Sequence, residues 1–127
     1  MSQSKGEVKG SPLDSIIDIL AFFVATRNYS YVDILSNALD ELTAREALIN
    51  ALRDYRSTCP QPGMTVERRD IKVRCPSVSH DTLEAAVRIV ESRLREAGAD
   101  LMTFTRSLSL NALARADKFK ITNSSEG

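Results

Sequence analysis

The sequence predicts a mainly α protein: a four-helix-bundle-like domain with a short β segment between helices 31–57 and 79–118, plus an extra N-terminal helix. Three observations lead there. Apolar residues recur at three- and four-residue steps along most of the chain, the spacing that gives a helix one apolar face. Capping and breaking residues fall between these stretches, as they do between packed helices. Only residues 64–75 change to a period-two pattern, the mark of a half-exposed strand. A chain of 127 residues that is 43% apolar suits one compact domain, because a chain near this size buries most of the surface its unfolded form exposes. The polar, glycine-bearing ends mark residues 1–11 and 120–127 as tails around a domain at 12–119, since such segments bury too little to order themselves.

The first helix begins at Ser11-Pro12, with Asp14 in its first turn. Serine caps free N–H groups, proline sits where no N–H is needed, and the acid favours the positive helix end. Leu13, Ile16, Ile17, Leu20, Phe23 and Val24 form one broad apolar face, Phe22 adds width to the other, and Arg27-Asn28 closes the segment. That width predicts a deeply buried helix or one with contacts on two sides. A second helix starts near Ser30, with Ile34, Leu35, Ala38, Leu39 and Leu42 in step. Thr43-Ala44-Arg45-Glu46 spells a capping box and places a break at 42/43. The next helix turns Ala47, Leu48, Ala51, Leu52 and Tyr55 to one side and stops before Pro60-Gln61-Pro62-Gly63. Ile71, Val73 and Cys75 alternate with Lys72 and Arg74 as a strand, and Glu67-Arg68-Arg69-Asp70 reads as a solvated turn. A helix from Ser79 to Ala97 places Leu83, Ala86, Val87, Val90 and Leu94 inward, with Gly98 as its left-handed cap. Asp100 caps the last helix, whose inner stripe is Leu101, Phe104, Leu108 and Ala112 and whose signal fades after Phe119.

Composition argues against several function classes. Seventeen Lys plus Arg balance seventeen Asp plus Glu, so no broad basic field advertises nucleic acid or an anionic membrane, and any nucleic-acid site must be local. The longest apolar stretch, Ile19 to Ala25, is far below the roughly 20 residues of a membrane span. With no signal-peptide core in residues 1–10, the expectation is a soluble, non-secreted protein without a membrane partner. Cys59 and Cys75 permit one disulfide and lack metal-ligand spacing, and His80 is the sole histidine, so no metal site and no cofactor are expected. No phosphate loop, nucleophile elbow or zinc helix occurs. His80 beside Asp81 reads as capping rather than an acid–base pair, and neither an enzyme nor a small-molecule substrate is expected.

Several strings, in order, resemble the coat proteins of rod-shaped plant RNA viruses, the tobacco mosaic virus group. Asp33-Ile34-Leu35 with Ser36-Asn37-Ala38-Leu39 looks like the family's first bundle helix, and Ala44-Arg45 like the start of its second. Asp70-Ile71-Lys72-Val73-Arg74 looks like its outer strand, and Glu91-Ser92-Arg93-Leu94-Arg95 is similar to the end of its third helix. Arg115-Ala116-Asp117-Lys118-Phe119 looks like an element closing the last helix. The resemblance covers residues 30–119 and rests on collinearity. The chain departs from the pattern in its longer first helix and in having only Ala97 to Asp100 where well-known members carry a long inner loop.

The resemblance implies a coat protein fold, self-assembly into a helical homo-oligomer around single-stranded RNA, and residence in the virion and host cytoplasm. It implies phosphate contacts for Arg45, Arg93 and Arg95, with Arg106 as a further candidate. Neutral charge agrees with many packed copies, each lending a few arginines to the phosphates it covers. With no Trp in the chain, backbone binding is expected over base stacking. Glu91, Glu96 and Asp100 near the same edge would resist assembly until protonated or cation-bound if they faced one another across a subunit boundary. The alternative is a helical adaptor or chaperone that uses the first helix's apolar excess to hold a partner protein.

Overall fold

The computed structural model describes residues 12–121, which are mainly helical. Helix α1 (Pro12–Ala25) lies at the centre. Every residue from Ile19 to Ala25 is buried, as are Ile16 and Ile17, and a helix apolar all round is a core helix. Phe22, on the face that the main stripe leaves over, is fully enclosed, and its ring meets Phe23 edge-on at 5.2 Å. The extra N-terminal helix is thus the element round which the others pack: chiefly the two C-terminal helices and the final turn, with the second and third helices and one strand alongside. The Ser11 cap lies outside the described residues. At the other end Arg27 takes φ 68, its N–H bonds to the Val24 carbonyl at 2.9 Å, and the Asn28 N–H bonds to the Phe23 carbonyl at 2.8 Å. This is a Schellman stop with arginine where glycine is usual.

Helix α2 (Ser30–Ser36) ends six residues before the expected break, and α3 runs Glu41–Thr58. Asp40, in extended conformation, accepts from the Thr43 N–H at 2.8 Å and the Thr43 hydroxyl at 3.0 Å. This cap takes the Thr43 amide that the expected box would have served, and Thr43 lies inside the helix. The earlier break also takes Leu39 and Leu42 out of the inner stripe, leaving them 76% and 61% exposed. Ile34, expected inward with them, is exposed too, and the buried side is Val32, Leu35 and Ala38.

The apolar face of α3 is buried as expected from Ala47 to Tyr55, and Ala44 joins it. Strands β1 (Thr65–Arg68) and β2 (Ile71–Arg74) form an antiparallel hairpin in which Arg68 faces Ile71. Arg69 and Asp70 both take positive φ, the geometry of the tight turn that matches strand twist. A Cys59–Cys75 disulfide closes the hairpin onto α3, with both residues buried. The Tyr55 hydroxyl donates to the Val78 carbonyl at 2.8 Å, with the Pro76 carbonyl at 3.3 Å. Lys120 bridges to Val73, and the Ile121 N–H bonds to the Lys72 carbonyl at 3.1 Å. Lys120 and Ile121, expected in the C-terminal tail, are therefore tied to the hairpin.

Helix α4 (His80–Ala97) is capped by Ser79, whose side chain accepts from the Thr82 N–H. It buries Leu83, Ala86, Val90 and Leu94, while Val87 stays half-exposed. Gly98 has φ 50 and ψ −119, a positive-φ turn but not the expected left-handed helical one. A short 3-10 turn (Gly98–Asp100) leads into α5 (Leu101–Arg115), and Asp100 makes no side-chain cap because that turn occupies the helix entrance. Alongside Leu101, Leu108 and Ala112, α5 buries Thr105 and Ser109, while Phe104 is half-buried. Thr105 donates to the Leu101 carbonyl at 3.0 Å and Ser109 to the Val32 carbonyl at 2.8 Å, so neither hydroxyl is buried unpaired. A 3-10 turn (Ala116–Phe119) then buries Phe119. Arg115 ties α5 to α1 through Asp18 at 3.0 Å and Asp14 at 3.2 Å. Burial works against its charge, but hydrogen bonds to Asp18 and Asp14 outweigh this and raise its pKa.

Candidate nucleic-acid interface

Helices α3 and α4 run antiparallel, and their ends define two ends of the molecule. At one end the C-terminus of α3 meets the start of α4 beside the hairpin. There the His80 Nε2–H donates to the Cys59 carbonyl at 3.1 Å and the ring lies edge-on to Tyr55. His80 is a structural clasp, and no His80–Asp81 bond is found among the described residues. At the other end the first turns of α3 meet the last turns of α4, and α5 begins.

The sequence-predicted arginines gather toward that second end. Arg45 Nε donates to Glu91 Oε2 at 2.7 Å; this hydrogen bond and the Glu91 charge raise the Arg45 pKa. The bond uses only Nε, so the terminal nitrogens of an oriented guanidinium remain toward solvent, with the side chain 48% exposed. The Arg93 guanidinium stands over the Phe104 ring at 5.5 Å, a cation–π contact that fixes its direction. Arg95 is exposed on the last turn of α4, and Arg106 is exposed on α5 beside Met102 and Leu110.

One end is not one face. Arg93 and Arg95 are two residues apart and point about 200° from each other around α4. Arg93 looks toward α5 and Arg45 toward the α3–α4 seam. The expected carboxylates are interleaved with them: Glu91 is committed to Arg45, and Glu96 borders the Arg93–Phe104 hollow.

The sequence reading missed a second basic feature. A groove of about 430 Å³ runs between α3 and α4, with Ile49, Leu52 and Val87 as its floor and Arg53, Arg56 and Arg88 on its rim. Glu84 and Glu91 also line it, and Arg56 reaches Glu84 at 3.6 Å. Arg53 and Arg88 make no ion pair among the described residues. The available signal was the helical spacing of Ile49, Leu52, Arg53 and Arg56, but spacing within one helix does not reveal that Arg88 closes the other rim. Comparisons with protein-family models, curated proteins and solved structures returned no match to the chain.

Proposed function

We propose that the chain is a structural subunit with a four-helix-bundle-like coat fold, self-assembling into a helical rod around single-stranded RNA. The observation that carries this reading is the collection of Arg45, Arg93, Arg95 and Arg106 toward the end of the molecule away from the hairpin. Two of these guanidiniums are held in place, by Glu91 and by Phe104, so less freedom is lost when each meets a phosphate. A few such contacts per copy bind weakly, and repetition along a rod supplies the rest.

Two further observations bear on it. The apolar excess of α1, the feature that motivated a protein-binding adaptor, is enclosed within the subunit. The buried Cys59–Cys75 bond runs against the host-cytoplasm part of the expectation, because disulfides persist in oxidising compartments and are rare in reducing ones.

The test is RNA protection by the assembled protein, with binding measured across a salt series. Arg93→Ala with Arg95→Ala lowers the log–log salt slope by about 0.7 per arginine removed and exposes the RNA to nuclease. Unchanged protection and slope in assembled particles refute the assignment.

A further inference from the structure

The groove between α3 and α4 asks for an occupant that is apolar in the middle and acidic at its edges. Its floor is Ile49, Leu52 and Val87, and two of its three rim arginines, Arg53 and Arg88, have no carboxylate partner among the described residues. The same chain carries a surface of the opposite character. The corner joining α2 to α3 exposes Ile34, Leu39 and Leu42, with Leu39 the most exposed large apolar side chain described. Asp33, Asp40 and Glu41 neighbour them along the chain, and residues 29–44 contain no Lys or Arg, the next being Arg45. Three exposed large apolar side chains within nine residues, with acidic neighbours in sequence, point to an interaction surface rather than a solvated loop.

The corner cannot reach its own groove. Leu42 sits in the first turn of α3, and Ile49 to Arg56 follow along the same continuous helix, so their separation is fixed. Only another molecule brings the two together. We infer that the α2–α3 corner of one copy seats in the α3–α4 groove of the next, its leucines on the apolar floor and Asp33 and Glu41 against Arg53 and Arg88. The two surfaces are different patches, so the contact is head-to-tail: each copy uses its groove for one neighbour and its corner for another, and growth continues unless the rotation closes. This inference rests on the self-assembling reading above and names the surfaces that would carry it. Charge pairing at the rim sets which partner docks and in what register, while the apolar floor supplies the adhesion.

The experiment is sedimentation velocity on the full chain without RNA, at low ionic strength. One variant reverses the groove (Arg53→Glu with Arg88→Glu) and the other reverses the corner (Asp33→Arg with Glu41→Arg). Asp40 is left intact because its side chain caps α3. Asp33, Arg53 and Arg88 are exposed and Glu41 is half-buried, and circular dichroism would check that each variant keeps its helices. The parent is expected to associate. Each variant alone should associate at least about tenfold more weakly, an energy difference of about 1.4 kcal/mol. An equimolar mixture should recover association, because each reversed surface then meets its complement. Variants that associate like the parent, a mixture that stays dissociated, or a parent that is monomeric throughout overturn the docking. A groove variant that associates normally but loses binding in a parallel titration with single-stranded RNA also overturns it and reassigns the groove to phosphate. A mixture that recovers only a closed dimer upholds the paired surfaces and contradicts the rod.

Discussion

Reducing the Cys59–Cys75 bond should destabilise the domain by an amount set by the loop it closes. The two residues are 16 apart in sequence. Chain-entropy arithmetic for a loop of that length gives about 3 kcal/mol of stabilisation, by restricting the unfolded chain. The bond spans the end of α3, the Pro60–Gly63 turn and the whole hairpin, so its loss frees the unfolded chain to explore a segment that the native state holds in place regardless. Tyr55 still bonds across the same junction to Val78, and the native fold should survive reduction. The assay is urea unfolding of oxidised protein, reduced protein and the Cys59→Ala/Cys75→Ala variant, followed by far-ultraviolet circular dichroism. With a urea slope of about 1–3 kcal/mol per molar, the midpoint should fall by about 1–3 M. Both residues are buried, so reductant should act slowly on the native state. Equal midpoints in the oxidised and reduced forms, or two thiols that label readily in the untreated native protein, would refute the reasoning.

Three other substitutions test local geometry. Arg27→Gly relieves a left-handed residue at the end of α1 and should stabilise the protein by about 1 kcal/mol, read as a higher urea midpoint. Gly98→Ala forces a side chain into a sparsely populated turn conformation and should cost about 1–3 kcal/mol, although the added methyl meets no neighbour within 4 Å. Tyr55→Phe leaves a buried carbonyl without its donor and should cost about 1–3 kcal/mol. Burial raises the Tyr55 pKa above its ordinary 10.0. Because the folded value is the higher one, the associated stability is present below that pH and is lost as pH rises through the folded value. Spectrophotometric titration should therefore show late tyrosine ionisation accompanying alkaline unfolding, and the late phase should shrink in Tyr55→Phe.

The helices were legible where periodicity and punctuation agreed. The face of α3 from Ala47 to Tyr55 and the Ser79 start of α4 are local patterns found in place, whereas the turn expected over Glu67–Asp70 shrinks to Arg69-Asp70 because Glu67 and Arg68 pair with β2. The break between α2 and α3 was misplaced because two capping signals compete within four residues. Thr43 with Glu46 spells the more familiar motif, yet Asp40 reaches the same amide first. The central position of α1 was only half legible: Phe22 signals width, but not whether a neighbouring helix or a neighbouring molecule covers it. The groove was illegible because it belongs to two helices at once, and no pattern along one helix reports which arginine stands on the facing one. The same limit separates Arg93 from Arg95, which the sequence sets side by side and the helix turns apart.

The central claim is assembly around RNA, and negative-stain electron microscopy of the purified protein tests it most directly. Grids would be prepared with and without single-stranded RNA from mildly acidic to neutral pH. The account predicts rings, short stacks or rods that lengthen when RNA is added and follow its length. A uniform small oligomer, unchanged by RNA at every pH, would contradict it.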